Sequence, residues 1–112
     1  MSPANQARLW LAQRLSAMLL AALLVVHIGV MIWAVRGGLS GAEILARTRG
    51  SAWAALLYGL LVAGAAVHAP LGIAAVCQEW LGLRGRALWS SMALLAGLLA
   101  VLGGAAVWGL VR

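Results

Sequence analysis

Three long apolar runs, separated by short polar stretches, dominate the chain. They cover residues 9–36, 51–78 and 87–111, and each exceeds the roughly 20 residues that a helix needs to cross about 30 Å of hydrocarbon. A bilayer offers no partners to backbone N–H and C=O groups, so such runs are expected to be helical. The pattern predicts an all-α integral membrane protein, with residues 1–112 forming one transmembrane domain of three helices in an up-down-up bundle.

The connections between the runs differ in length. The first, residues 37–50, carries Ser40 and Glu43 at the spacing of a capping box. That spacing predicts a short interfacial helix that ends near Arg47. The second connection, residues 82–86, is a tight turn, so the second and third spans are expected to be antiparallel neighbours.

Six tryptophans mark the expected membrane boundaries. Tryptophan is enriched at membrane–water interfaces, where its amphipathic ring reaches both the headgroups and the hydrocarbon. The three spans divide the tryptophans into two groups, Trp10, Trp80 and Trp89 at one interface and Trp33, Trp53 and Trp108 at the other. Two aromatic belts are therefore expected.

The composition excludes a soluble domain and argues against nucleic-acid binding. The chain of 112 residues is 65% hydrophobic and 9% charged, and its mean hydropathy is +1.04. A soluble domain of this size cannot hide so much apolar surface. The pI near 11.8 comes from arginines, but these lie at the ends of the apolar runs, as membrane anchors do. Four arginines fall on each side of the expected membrane, so their count leaves the orientation open.

Polar residues inside the spans are the candidates for function, because an ionisable group in hydrocarbon is costly to keep. The polar residues considered within the spans are Arg14, Ser16, His27, Tyr58, His68, Ser90 and Ser91. A serine hydroxyl can bond back to its own helix backbone, and this is the interpretation for Ser90 and Ser91. The only cysteine, Cys77, excludes an internal disulfide and a cysteine-based metal site.

His68 carries the most information. Gly64 and Gly72 lie one turn before and after it on the same helical stripe, which leaves a flat, open surface around the imidazole. A planar macrocycle needs such clearance to reach an axial histidine. Pro70 removes a backbone donor and is expected to kink the helix nearby. A hydrogen bond across a helix interface, with glycines for close packing, explains the pattern equally well.

His27 has no glycine one turn away, and its expected depth differs from that of His68. It lies nine residues before Arg36, about 13 Å from that membrane face at 1.5 Å per residue. His68 lies seventeen residues after Ser51, about 25 Å from the same face. One haem therefore cannot take both ligands from this chain. His27 is either an interhelical hydrogen-bonding residue or a haem ligand that needs a partner chain.

Arg14 lies in the same half of the membrane as His68. A haem on His68 needs cations for its propionates, and a guanidinium can supply a charge-assisted hydrogen bond. The alternative is an arginine whose side chain extends to the interface as an anchor. Together with His68, the functional role is favoured.

Two stretches carry a resemblance to a known family. Residues 13–17 read Gln-Arg-Leu-Ser-Ala, and residues 68–75 read His-Ala-Pro-Leu-Gly-Ile-Ala-Ala, with Glu79 beyond them. They resemble the cytochrome b membrane-anchor subunit of succinate dehydrogenase and fumarate reductase. That family has His-Arg-x-Ser-Gly in its first helix, and in its second a haem-ligating histidine followed by Gly-Ile/Leu-Arg-His and an acid. Gln13, Ala17 and the Ala74-Ala75 pair depart from these motifs.

The resemblance implies a non-catalytic anchor subunit of a succinate:quinone oxidoreductase in the bacterial inner membrane, multi-pass, with its N-terminus in the cytoplasm. It implies haem b on His68 with Arg14 nearby, and ubiquinone or menaquinone near Gln13, Arg14 and Ser16. The implied partners are a second membrane-anchor subunit, an iron–sulfur subunit, a flavoprotein subunit and membrane lipid. In two-haem members, histidines of the first and second helices serve different haems, a role open to His27.

Two alternatives remain at this point. The chain is a cytochrome b subunit of another quinone-linked dehydrogenase, or it is a haem-free structural subunit or small transport component. In the second case both histidines hold helices together.

Overall fold

The computed structural model describes residues 1–38 and 40–112, and it is helical nearly throughout. Its helices are α1 (Pro3–Arg36), α2 (Gly41–Thr48), α3 (Ala52–Leu81) and α4 (Arg86–Val111). By length and composition, α1, α3 and α4 are each able to cross a membrane. The prediction of three apolar helices and a short helix after the first is confirmed.

The helix ends follow capping groups more closely than they follow hydropathy. α1 begins at Pro3 rather than near residue 9, because the Ser2 hydroxyl accepts a hydrogen bond from the Asn5 N–H at 3.2 Å and proline suits the first helical turn. α3 continues to Leu81 rather than ending near residue 78. It stops where Gly82 adopts a left-handed conformation with φ +65°, which only glycine adopts readily.

The short helix α2 is capped as the sequence predicted and is tied to the end of α4. The Ser40 hydroxyl accepts a hydrogen bond from the Glu43 N–H at 3.1 Å. At the last residue of α2, the Thr48 hydroxyl donates to the Leu110 carbonyl at 2.7 Å, and just beyond it the Gly50 N–H donates to the Val111 carbonyl at 2.6 Å. These bonds satisfy carbonyls that the last turn of α4 leaves free.

α3 is the central helix, since it packs against both α1 and α4. Most of the buried residues belong to α3, and nearly all of them are small: Ala54, Leu57, Gly64, Ala66, Pro70 and Ala74. Small residues let helix backbones approach closely, which is how helices associate in lipid. α3 is continuous through Pro70.

The outer surfaces of α1 and α4 are apolar and exposed. In each of these helices, none of the described residues in the most hydrophobic stretch is buried by the rest of the chain. Large side chains such as Met18, Val25 and Leu94 are more than two thirds exposed. Soluble monomers rarely expose contiguous apolar surface on this scale, so the surface is suited to lipid or to partner helices.

Candidate functional site

His68 and Ser16 meet where α3 packs against α1. Ser16 is one of the few buried polar residues among those described, and its Oγ lies 3.5 Å from His68 Nδ1, at the long end of the hydrogen-bond range. The same hydroxyl donates to the Gln13 carbonyl at 3.0 Å. Two residues that are 52 positions apart are thus placed together.

This arrangement favours one tautomer of His68. The Ser16 hydroxyl has a single hydrogen, and its 3.0 Å contact with the Gln13 carbonyl suits donation there. In that arrangement Oγ accepts from the Nδ1-protonated tautomer of His68, the tautomer whose Nε2 keeps its lone pair. Metal-ligating histidines typically have this arrangement, in which the second ring nitrogen donates to a neighbouring group. His68 is only partly buried by the chain. An imidazole in this tautomer has the donor that a metal ion needs on Nε2.

The two glycines beside His68 bring α1 close to α3. A methyl group at Gly64 would lie 2.9 Å from Leu20 Cδ2, and one at Gly72 would lie 3.3 Å from Gln13 Nε2. The sequence predicted these glycines as clearance for a macrocycle. In the folded chain, α1 side chains occupy the space beside both of them. The glycine stripe is therefore a packing surface for α1.

Arg14 is exposed, and its guanidinium carbon lies 5.2 Å from the centroid of the Trp10 ring. Two other arginines stack in the same way, Arg47 over Trp33 at 4.7 Å and Arg112 over Trp108 at 5.6 Å. Cations stacked on interfacial indoles are favourable where a helix leaves the membrane. Within the described chain, Arg14 contacts Trp10, while its neighbour Gln13 turns toward α3.

A cavity of about 870 Å³, the Gln13 cavity, lies between α1, α3 and the start of α4. Its polar lining includes Gln13, Gln78, Arg84 and Arg86, and its apolar lining includes Trp10, Leu71, Ala75 and Trp89. Gln13 Oε1 is enclosed there and has no hydrogen-bond partner among residues 1–38 and 40–112. An unpaired buried acceptor is costly, so Gln13 is a polar residue at the cavity wall whose hydrogen bonding is incomplete within the described chain.

Sequence reasoning did not single out Gln78, Arg84, Arg86 and Trp89 as site residues. A signal was present, because both arginines and Trp89 were expected at the same membrane face as Trp10. What the sequence lacked was the packing of α1 against α3, which brings Gln13 to Leu71, Ala75 and Gln78.

His27 lies beside a second cavity of about 640 Å³, the His27 cavity, which is mostly apolar and is also lined by Tyr58 and Arg47. The His27 and Tyr58 rings meet edge to face, with centroids 5.5 Å apart and an angle of 83° between planes. His27 Nδ1 is enclosed and lacks a hydrogen-bond partner within the described part of the chain. His27 and His68 thus lie at separate places on α1 and α3, as their expected depths predicted.

The two histidines differ in their fit to a haem iron. His68 has Ser16 to accept from Nδ1, whereas His27 Nδ1 faces no such acceptor among the residues that the structure describes. A hydrogen-bond acceptor for the second ring nitrogen fixes the orientation of a metal-ligating histidine and raises its basicity. His68 is therefore the better candidate for a haem ligand.

Comparison of the chain with protein-family models, curated proteins and solved structures gives no match. The site is therefore interpreted from its own geometry.

Proposed function

We propose that the chain is a haem b-binding membrane-anchor subunit of a succinate:quinone oxidoreductase. The observation that carries this proposal is the contact between Ser16 and His68, which favours the tautomer of His68 that leaves Nε2 free for iron. A buried serine and a partly buried histidine that pair across two apolar helices are expensive to keep in a membrane without a function.

Three helices that cross the membrane up, down and up are part of the proposal. Contacts between α1 and α3 run in opposite directions along the two helices: Gln13 lies near Gly72, and Leu20 near Gly64. The next pair, α3 and α4, is joined by the short segment 82–85. Val62 of α3 lies near Gly103 of α4, as expected for antiparallel neighbours.

His68 Nε2 would hold the haem iron, Ser16 would orient the imidazole, and Arg14 would serve a propionate. A bound haem b supplies one-electron transfer between the soluble subunits and quinone. Arg14 is exposed at this end of α1, so its guanidinium is accessible to a carboxylate of a ligand or partner. The planar guanidinium can donate two parallel hydrogen bonds to a carboxylate, which a lysine ammonium cannot. A further ligand to the iron would come from the second membrane-anchor subunit.

The Gln13 cavity is the proposed quinone site, for ubiquinone or menaquinone. It combines an apolar lining, two tryptophans and a few convergent polar groups, which is the composition of small-molecule sites. The Gln13 side chain would lie against the quinone head group, while the guanidinium groups of Arg84 and Arg86 are available to a quinone carbonyl. Donors aimed at a carbonyl stabilise the negative charge that develops on reduction.

In this proposal the chain itself is not catalytic. The flavoprotein and iron–sulfur subunits would carry out the dicarboxylate chemistry on the cytoplasmic side of a bacterial inner membrane. They would dock near the end of the bundle that holds the N-terminus and the turn at residues 82–85. Arg8, Arg84 and Arg86 are exposed at this end and would offer positive charge to the docking subunits.

A reduced-minus-oxidised visible spectrum of the purified protein, with any subunits that copurify, tests the proposal. We expect a b-type α-band, flavin and iron–sulfur signals in the same preparation, and succinate-dependent quinone reduction. Haem without succinate activity would instead favour a cytochrome b subunit of another quinone-linked dehydrogenase.

A haem-free structural subunit is the second candidate function, and a specific observation favours it. α1 side chains fill the space beside Gly64 and Gly72, as expected if His68 and Ser16 only hold two helices together. A preparation that is folded and fully assembled but has no α-band would establish this alternative.

A further inference from the structure

The turn that follows α2 brings together two arginines from different parts of the chain. The Thr48 hydroxyl and the Gly50 N–H donate to carbonyls of the last turn of α4, at 2.7 and 2.6 Å. Thr48 is buried, and Gly50 closes the turn at φ +70°, a conformation that suits glycine. Arg49 lies between these two residues, and Arg112 directly follows the same turn of α4. The fold therefore places both arginines, the Arg49–Arg112 pair, beside the end of α4.

Neither arginine of the pair has a carboxylate partner among the described residues. The chain contains two acids, Glu43 and Glu79. Glu43 lies 3.9 Å from Arg47, and Glu79 lies at the opposite end of the bundle, in the last turn of α3. No side-chain carboxylate of residues 1–38 and 40–112 lies within 4.0 Å of either guanidinium. Acidic side chains therefore leave the two positive charges uncompensated.

The carbonyls at the end of α4 do not compensate these charges either. Basic side chains near a helix C-terminus commonly hydrogen-bond the last carbonyls, but here two of those carbonyls already accept from the turn after α2. Within the described chain, Arg47 is the one arginine whose side chain donates a hydrogen bond. Arg112 instead stacks on Trp108, with its guanidinium carbon 5.6 Å from the ring centroid. Both Arg49 and Arg112 are exposed, so their donors are available to an anion.

The surroundings of the Arg49–Arg112 pair suit an anion that carries hydrocarbon. Tryptophans at a membrane boundary lie at the level of the lipid headgroups, and Trp108, which stacks with Arg112, is 62% exposed. Gly104, Trp108 and Arg112 follow one another at intervals of one helical turn, so they lie on one side of α4. Gly104 is exposed, and none of the described residues lies within 4 Å of a methyl group placed there. This side of α4 is therefore open to an acyl chain.

The charge at this end of the bundle favours a lipid with an excess of negative charge. Four arginines and one glutamate lie here, namely Arg36, Arg47, Arg49, Arg112 and Glu43. A zwitterionic phospholipid carries a cation of its own, which the surrounding arginines repel. An anionic phospholipid has no such cation. Its phosphate can also accept parallel hydrogen bonds from a guanidinium.

We infer that the Arg49–Arg112 pair binds the phosphate of an anionic phospholipid. Both guanidinium groups donate hydrogen bonds to phosphate oxygens, and an acyl chain lies along the open side of α4 past Trp108 and Gly104. The hydrogen bonds that tie the turn after α2 to α4 hold the two cations in place for the ligand. This inference is independent of the haem and quinone proposals.

Native mass spectrometry of the purified complex, titrated with phosphatidylglycerol in detergent, tests this inference. We expect wild type to bind phosphatidylglycerol more tightly than phosphatidylcholine. Arg49→Gln and Arg112→Gln should each lower the affinity for phosphatidylglycerol about fivefold, the effect of one basic residue at an anionic membrane surface. Arg49→Lys should have a smaller effect, because lysine keeps the charge but loses the parallel hydrogen bonds. Haem content should not change in these variants, so this inference and the proposed function fail separately.

Arg36→Gln is the matched control. Arg36 is exposed at the same end of the bundle, but it ends α1 rather than lying beside the end of α4, so its loss should leave the affinity nearly unchanged.

Three results would overturn the inference. An equal loss of affinity in Arg36→Gln would indicate diffuse attraction of lipid rather than a site. Wild-type affinity in both Arg49→Gln and Arg112→Gln would place the lipid elsewhere. Displacement of phosphatidylglycerol by inorganic phosphate at the same concentration would make the pair a site for free anions.

Discussion

At the level of individual side chains, the two histidines differ in what surrounds Nδ1. His68 has the Ser16 hydroxyl on the neighbouring helix, whereas His27 Nδ1 is enclosed by protein without a hydrogen-bond partner among the described residues. This contrast assigns different chemistry to two residues that look alike in the sequence. In the proposed function, Ser16 is a positioning residue that acts through His68.

Ser16→Ala is expected to weaken haem retention without preventing assembly. The loss of an outer-sphere partner typically lowers metal affinity about 10- to 100-fold, and the haem midpoint potential should shift because the imidazole becomes less basic. The measurement is haem content after dilution, together with a redox titration. Ser91→Ala is the matched control, since Ser91 makes only a bond to the Ala87 carbonyl of its own helix. Equal behaviour of the two variants would contradict the role of Ser16.

Arg14→Ala is expected to impair quinone reduction severely, while succinate oxidation with an artificial acceptor at the soluble subunits continues. Arg14→Lys should be partly functional, because lysine retains the charge but loses the bidentate geometry. Arg8→Ala is the control, as Arg8 is exposed on the same helix. An arginine that serves only as an anchor over Trp10 predicts that lysine substitutes freely. Wild-type quinone turnover in an assembled Arg14→Ala complex would establish that anchor role.

For the helices, close approach at glycine is the main source of packing specificity. A methyl group at Gly103 would lie 2.5 Å from Val62 Cγ1, whereas none of the described residues lies within 4 Å of one at Gly97. Both glycines belong to α4, so they form a matched pair with opposite expectations.

Gly103→Ala is expected to lower the melting temperature in detergent, because the branched Val62 side chain is stiff and cannot turn aside cheaply. Overpacking of this kind costs about 1–3 kcal/mol. Gly97→Ala should be neutral or stabilising by about 0.5–1 kcal/mol, since alanine is the better helix former. Thermal unfolding followed by circular dichroism compares the two variants. A Gly103→Ala variant as stable as Gly97→Ala would contradict the close packing of α3 on α4.

The helices, and the packing of α3 beside α4 across a tight turn, could be predicted from sequence, but the residue contacts between α1 and α3 could not. Long apolar runs and the Ser40–Glu43 spacing contain the information for α1 to α4 locally. The pairing of Ser16 with His68 depends on how two helices pack, with 52 residues between the partners. The space beside Gly64 and Gly72 could be foreseen as well. Whether a macrocycle or the Leu20 and Gln13 side chains occupy this space depends on how α1 packs against α3.

For the chain as a unit, orientation in the membrane decides which end meets the soluble subunits. Single cysteines at positions 2 and 40, introduced after Cys77→Ser, can be tested with a membrane-impermeant thiol reagent. With the N-terminus in the cytoplasm, position 40 is labelled in intact spheroplasts, and position 2 is labelled only after lysis. The opposite pattern would invert the chain and place the docking end on the wrong side.

The haem is the most direct point at which to test the proposed function. The measurement is the reduced-minus-oxidised spectrum of the assembled complex carrying His68→Leu, compared with wild type and with His27→Leu. We expect a b-type α-band in wild type and in His27→Leu, and its loss or strong alteration in His68→Leu, because Nε2 of His68 is the proposed axial ligand. A His68→Leu complex that keeps the wild-type spectrum and midpoint potential would contradict the proposal.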